Sequence, residues 1–296
     1  MRVLVTGGTG FVGKEVVRQL LAHNHQVRCL VRPGSEKKLG AAPEVEFAPG
    51  DVTRPESLPS AVQGCDAVVH LVGIIREFPS RGITFQKMHF EATQNIVEAT
   101  KKANIRRYLH MSALEAKPAP VAGYHQTKQQ AEEYVMASGL TFTIFRPSII
   151  YGPGDAFINL FKDQIKRLSL VPVIGDGRYQ IQPVPVWVVA QGFALALETP
   201  ISENRSYDVG GPEPLLFDEL IDTVAQVLGK KVGKIHLPVW PLRLSAALLQ
   251  GFAWFPVTTD QITMLLAGNT CDPSAFYRDF GIQPVPLAAG LASYLV

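Results

Sequence analysis

Apolar runs alternate with helix-period stretches through the first half of this chain. Short runs rich in Val, Leu and Ile fall near 2–6, 26–32, 44–48, 66–72, 106–112 and 141–146, the length of strands covered on both faces. Between them, patterns with a 3.6-residue period begin near residues 11, 55, 84 and 123 and predict helices. Strict strand–helix alternation implies parallel strands joined by right-handed crossovers. The predicted fold class is therefore α/β, a doubly wound parallel sheet. After Pro147 the pattern breaks at Tyr151-Gly152-Pro153-Gly154, Gly175-Asp176-Gly177 and Pro183-Val184-Pro185. The sheet unit is placed at 1–154, with a return segment of about 182–211 that holds a helix from about 187 to 198 and a strand from Arg205 to Val209. Residues of about 155–181 and 212–296 are left to a smaller, mostly helical C-terminal lobe that would hold the substrate.

The turn after the first strand carries the clearest chemistry. Thr6-Gly7-Gly8-Thr9-Gly10-Phe11-Val12-Gly13 follows Val3-Leu4-Val5 and opens an amphipathic helix. Glycines at 7, 10 and 13 let the backbone turn sharply, approach a pyrophosphate and pack helix on strand, while the free amides of the helix start face the anion. The same residues also read as Gly8-x-Gly10-x-x-Gly13, so the glycines do not choose between dinucleotide-binding families. At the end of the second strand an NAD site usually places an acid on the ribose 2'-hydroxyl, and here Arg32 stands there. A guanidinium can bind a 2'-phosphate bidentately, so NADP(H) is favoured over NAD(H), with Ser35 and Lys37 near enough to assist.

Composition narrows the class. A chain of 296 residues that is 47% hydrophobic and 18% charged can bury a substantial core. A net charge of +2 and only short basic clusters give no nucleic-acid signature. Cys29, Cys65 and Cys271 are dispersed and odd in number, and the first strand starts at Arg2 with no room for a signal peptide before it. A cytoplasmic protein is expected, at most peripheral to a membrane. The most apolar stretch, Leu237 to Val257, is interrupted by Pro241, Arg243 and Pro256, so it reads as lobe core, or as an interfacial helix or a contact with a redox complex. His70, His89 and His110 lack ligand-type spacing, and no metal is expected.

Tyr124 and Lys128 stand one helical turn apart in the helix after the fifth strand, so both side chains leave one face. A tyrosine titrates near ~10, and a neighbouring ammonium favours its phenolate, which suits it to acid–base work. The fifth strand ends at Met111-Ser112, which brings a hydroxyl to the carboxyl edge of the sheet.

These residues, together with Asp51-Val52 and Arg146-Pro147-Ser148-x-x-Tyr151-Gly152-Pro153-Gly154, resemble the short-chain dehydrogenase/reductase superfamily in its extended or atypical branch. Tyr207-Asp208-Val209-Gly210-Gly211-Pro212-Glu213, Thr259-Asp260-Gln261 and Phe280-Gly281-Ile282 further resemble the group that includes the 39 kDa accessory subunit of respiratory complex I. The resemblance implies a Rossmann fold in which Thr9, Phe11 and Val12 belong to the phosphate loop. It implies Asp51 and Val52 at the adenine, Leu71, Val72 and Gly73 along the middle of the cofactor, and Pro147 at the nicotinamide. It also implies Tyr124 as proton donor, Lys128 as its electrostatic and ribose-binding partner, and Ser112 as the substrate-orienting hydroxyl.

Two departures bear on the activity. The catalytic Ser or Thr of extended members commonly stands one residue later, where this chain has Ala113. The arginine and acid pair of sugar-nucleotide enzymes are replaced around Ile181-Gln182-Pro183-Val184-Pro185-Val186-Trp187-Val188, with Arg178 the nearest substitute. The expected function is an NADP(H)-dependent oxidoreductase or epimerase-like enzyme acting on a carbonyl or alcohol of an apolar small molecule, with Tyr151, Phe157, Phe161 and Trp187 as pocket walls. The alternatives are an NADPH-binding accessory or assembly protein of a redox complex, and a nucleotide-sugar epimerase or dehydratase.

Overall fold

The computed structural model describes residues 1–40, 43–114, 123–168, 170–252 and 254–295. β1 (Arg2–Thr6), β2 (Gln26–Val31), β3 (Val45–Pro49), β4 (Ala67–His70), β5 (Arg107–Met111) and β6 (Thr141–Pro147) follow the predicted order. Between them run α1 (Phe11–Ala22), α2 (Pro59–Val62), α3 (Ala92–Lys102) and α4 (Gly123–Ala137). Next come β7 (Ile150–Tyr151), α5 (Ile158–Leu168), β8 (Leu170–Ile174), β9 (Gln180–Ile181), β10 (Val184–Pro185), α6 (Val186–Ala196) and β11 (Arg205–Val209). The remainder is β12 (Leu215–Leu216), α7 (Phe217–Val227), β13 (Gly233–Leu237), α8 (Val239–Leu249), α9 (Thr259–Ala267), α10 (Ser274–Phe280) and α11 (Leu287–Leu295).

The main sheet has seven strands in the order β11-β6-β5-β4-β1-β2-β3, every pairing parallel. Strand order reverses between β1 and β4. In a doubly wound sheet the crevice outside the carboxyl ends at that reversal is where ligands bind. Alternate residues of β1 show how both faces are covered. Val3 and Val5 join a core with α1 and α6, while Leu4 faces a second core under α2, α3 and α4.

Two predicted helices begin differently. The helix near 55 is a 3-10 turn, Pro55–Ser57, followed by the single turn of α2, because Pro59 lacks the amide that would continue the ladder begun at Pro55. The helix near 84 starts as a π-helical segment, Gln86–Glu91, that runs on into α3.

A third core joins α5, β8, α7 and α11 through Ile158, Ile165, Val171, Phe217, Leu220 and Leu291. Tyr151, Phe161 and the partly buried Phe157 and Trp187 belong to that core, so these aromatics fill the lobe instead of lining a pocket. Close packing explains the difference. A Cβ on Gly290 would fall 2.0 Å from the Tyr151 hydroxyl, and Tyr151 meets Trp187 edge to face at 6.2 Å. The chain then returns to the sheet, where Phe276 and Phe280 of α10 pack beside Phe145 and Tyr207. That helix lies within the stretch that the sequence division gave to the lobe.

Candidate active site

The glycine loop has the geometry its sequence implies. Gly7 has φ of +78°, and a Cβ there would press within 3.1–3.2 Å of the Leu71–Val72 backbone. A Cβ on Gly13 would fall 2.1 Å from the Gly7 carbonyl, so α1 packs on the loop at glycine distance. Gly10 is the N-cap of α1 and offers no side-chain cap, so the amides of Phe11 and Val12 begin the helix as unsatisfied donors. Thr9 is half-buried at the lip of this turn, and Val12 is buried beneath it. The Phe11 ring reaches across to Gly152, where a Cβ would lie 3.6 Å from its Cζ.

Arg32 and Ser35 flank a tight turn closed by the Ser35 amide donating to the Arg32 carbonyl at 2.9 Å. Pro33 sets its first corner, and Gly34, with φ of +85°, takes the left-handed second corner. Arg32 is exposed just beyond β2, and Lys37 is exposed on the next turn. Across the crevice the Asp51 carboxylate accepts from the Thr53 amide at 2.9 Å and the Thr53 hydroxyl at 2.8 Å. Val52 is buried, and its carbonyl accepts from Asn95 of α3 at 2.9 Å.

Under the crevice mouth lies the Tyr124–Lys128 pair. Lys128 is buried, and its Nζ donates to the Met111 carbonyl at 3.0 Å. A Cβ on Gly73 would sit 3.1 Å from that Nζ, so a side chain there would crowd the ammonium. Burial lowers the Lys128 pKa to about 8, opposed by the carboxylate of Glu132 one turn on. Glu132 is itself buried and held by Arg146 of β6, whose Nε donates to it at 2.8 Å, which fastens α4 to the sheet.

Tyr124 departs from the expected activated phenol. Burial pushes its pKa up to about 12, and no favourable contribution from Lys128 offsets this. The ammonium is committed to Met111, and the tyrosine ring is instead clasped edge-on by His89 at 5.1 Å and Phe85 at 5.7 Å.

His89 is a residue that pattern reading did not assign to the site. His89 Nδ1 lies 2.9 Å from the Thr127 hydroxyl, and its Nε2 lies 3.1 Å from the Ile74 amide and 3.0 Å from the Ile74 carbonyl. The neutral imidazole ties the residue after Gly73 to the first turn of α4. Burial, with Lys128 nearby, lowers its pKa to about 2. A histidine on a helix flank has no periodic signature, which is why the sequence did not mark it.

Ser112 is buried, with its amide bonded to the Phe145 carbonyl at 2.8 Å and its Oγ without a hydrogen-bond partner among the described residues. Pro147 is buried at the end of β6, its carbonyl accepting from Leu114 at 3.1 Å. Leu71 and Val72 lie on the crevice floor between β4 and Gly73. Leu114 ends a described segment, and residues 115–122 before α4 lie outside the described residues.

The donors suit a nicotinamide dinucleotide. Unsatisfied helix-start amides face a pyrophosphate position, and the glycine-made approach at Gly73 lets a ribose reach Lys128.

Comparison with known proteins agrees. The profile of a family described as NAD(P)H-binding matches residues 7–159, over half of the chain. That of the 3-beta hydroxysteroid dehydrogenase/isomerase family matches 114–239. The 40 kDa subunit of NADH-ubiquinone oxidoreductase from Neurospora crassa mitochondria is 26% identical over 98% of this chain and 78% of its own length. A ceramide reductase from Caulobacter vibrioides is 26% identical over 98% of this chain and 89% of its own. A UDP-glucose 4-epimerase from Thermotoga maritima, solved with UDP-glucose, superimposes with a TM-score of 0.79 at 20% identity, covering 100% of this chain and 97% of that one. The chain belongs to the NAD(P)H-binding family, in the atypical branch of the short-chain dehydrogenase/reductase superfamily, and it takes a nicotinamide cofactor.

Proposed function

We propose that this protein is an NADP(H)-dependent oxidoreductase that interconverts a carbonyl and an alcohol on an apolar small molecule. The observation that carries the reading is the Lys128 ammonium, buried with only the side-chain-free Gly73 packed over it, on the same helix face as Tyr124. A reduced nicotinamide bound in the crevice supplies a hydride. Lys128 holds the ribose side, and the neutral Tyr124 hydroxyl, which burial keeps protonated, donates its proton to the substrate oxygen as the carbon accepts the hydride. Ser112, whose hydroxyl has no hydrogen-bond partner among the described residues, orients that oxygen. Arg32, with Ser35 and Lys37 beside it, binds the 2'-phosphate. An apolar substrate is favoured by the ceramide reductase relative and by the match to the hydroxysteroid dehydrogenase profile.

The test is Tyr124→Phe. Reduction of an apolar ketone panel with NADPH should fall by at least ~100-fold, while NADPH affinity, read by quenching of protein fluorescence, stays within about threefold. Unchanged turnover in the variant would sink the reading. Arg32→Asp should reverse the cofactor preference, and an unaltered preference would remove Arg32 from the 2'-phosphate.

A second reading rests on one specific observation, that the Lys128 ammonium donates to the Met111 carbonyl while the Tyr124 ring packs edge-on against His89 and Phe85. On that reading the protein holds its cofactor as a structural element of a redox complex, as the 40 kDa relative is a subunit of one. It predicts tight NADPH binding with no turnover in either protein.

A further inference from the structure

Helix α8 and the turn after it are apolar on both sides. Val239, Leu242, Ala246 and Leu249 face inward against Ile174, Phe255, Ile262 and Leu266. The outer side is a stripe at four-residue spacing, with Trp240 72%, Leu244 57%, Leu248 73% and Phe252 55% exposed, and Trp254 follows at 71%. Of the eleven residues in α8 only Arg243 and Ser245 are polar, and Ser245 returns its hydroxyl to the Pro241 carbonyl at 2.8 Å. A helix apolar all round belongs against something other than water.

The charge pattern says what that something is. From Thr223 to Thr259 the chain contains no Asp or Glu, but it carries Lys230, Lys231, Lys234 and Arg243. Lys234 is paired with Asp222 at 2.7 Å, and His236 lies 3.0 Å from Asp218. Lys230, Lys231 and Arg243 are exposed and have no ion-pair partner among the described residues. The parallel pairing of β8 with β13 sets the exposed Lys166, Arg167 and Leu168, which precede β8, at the same end as Lys230 and Lys231, one strand length from the start of α8. Asp176, on the turn beyond β8, spends an oxygen on the Arg178 amide at 3.0 Å.

We propose that α8 and the Gln250–Phe255 turn form a docking surface for an anionic lipid bilayer. The helix lies in the plane of the headgroups, with Trp240, Leu244, Leu248, Phe252 and Trp254 immersed. Lys230, Lys231 and Arg243 meet the lipid phosphates. No helix among the described residues is long and apolar enough to cross a membrane, so the contact is one of lying on the surface. The surface stands apart from the hydride chemistry, and either proposal can fail without the other.

The test uses vesicles of phosphatidylcholine with about 30 mol % phosphatidylglycerol, against phosphatidylcholine alone. The full chain should sediment with the anionic vesicles, with a blue shift in tryptophan emission. Trp240→Ser/Leu248→Ser/Trp254→Ser should abolish both. These positions are exposed, so the variant should keep the parent circular dichroism melt. Lys230→Glu/Lys231→Glu/Arg243→Glu should weaken binding by at least about a hundredfold, since each basic residue near an anionic surface adds about a fivefold gain. Absence of binding to anionic vesicles, or equal binding by the triple serine variant, overturns the proposal. A dimer in sedimentation velocity that the serine variant dissolves, with vesicles ignored, assigns the face to a second copy instead. A monomer that ignores vesicles assigns it to a protein partner, and either result also overturns the proposal.

Discussion

Two regions break the usual distribution of polar and apolar groups in opposite directions. Beneath Lys128, on the α3–α4 face of the sheet, His70, Tyr108 and His110 are almost fully buried. The His70 and His110 rings stack at 5.6 Å, and His70 Nδ1 meets the Thr6 hydroxyl at 2.6 Å. Both His110 nitrogens, His70 Nε2 and the Tyr108 hydroxyl lack partners among the described residues. On α8, by contrast, large apolar side chains stand in water. The first region loses stability by burying polar atoms, and the second by exposing apolar ones. Sequences tolerate such violations chiefly where function requires them. The segment just past Gly73 reaches toward both, through His89 on one side and Arg76 on the other.

The largest expected effect breaks the comparison by acid. Burial, with nearby positive charge, lowers His70 to about 3 and His89 to about 2, and it lowers His110 well below the usual imidazole range. Each is therefore neutral in the fold, whereas the unfolded chain takes up protons below about 6.5. Stability is complete above that value and is lost as pH falls through it, by about 1.4 kcal/mol per pH unit per histidine. By pH 5 the three together should remove about 6 kcal/mol, a large share of a domain's margin. Lys128, lowered to about 8, adds a separate window in which stability rises with pH between about 8 and 10.5. Urea melts from pH 7.5 to 5 measure the acid limb. A flat midpoint would show that the histidines are not held neutral.

A smaller effect separates the two violations by substitution. His110→Phe replaces two orphan nitrogens by an apolar ring of similar shape and should raise stability by about 1 kcal/mol. Trp240→Ser removes a side chain already in water and should change it by no more than ~0.5 kcal/mol. If His110→Phe is instead destabilising by more than that, internal water satisfies the imidazole and the polar layer is a paired network.

Much of the sheet was legible because parallel strands buried on both faces are continuous apolar runs, as in Val3-Leu4-Val5 and Ala67-Val68-Val69. The glycine loop was legible for a steric reason, since only glycine fits where a Cβ would strike the Gly7 carbonyl. The polar layer was not. His70 and His110 lie on strands whose neighbours are apolar, and nothing local tells a buried orphan from a satisfied imidazole. The aromatics of the second lobe were misread as pocket walls for a related reason. Tyr151, Phe161 and Trp187 carry no mark that separates core from cavity, and only the return of α11 against Tyr151 decides it. The apolar stretch 237–257 was visible as composition, but which of its faces stays outside depends on where α9 packs.

Arg76 sharpens the comparison most finely, because it joins the two regions. Its guanidinium donates to the carbonyls of Phe255 at 2.6 Å and of Gln250 and Phe252 at 2.8 Å, so it gathers the turn that carries the exposed Phe252. Two residues earlier, Ile74 is held by His89, which in turn clasps Tyr124. Arg76→Met keeps the stem packing and removes the donors. The three carbonyls reach solvent at modest cost, and a loss of about 1 kcal/mol is expected. The informative readout is whether NADPH affinity changes when anionic vesicles are added. If Arg76 transmits the position of the turn to the crevice loop, the parent protein should show a vesicle-dependent shift that Arg76→Met lacks, while both still sediment with lipid. An equal shift in both would mean that the turn and the crevice respond independently, and that the two violations of pattern share a neighbourhood without sharing a mechanism.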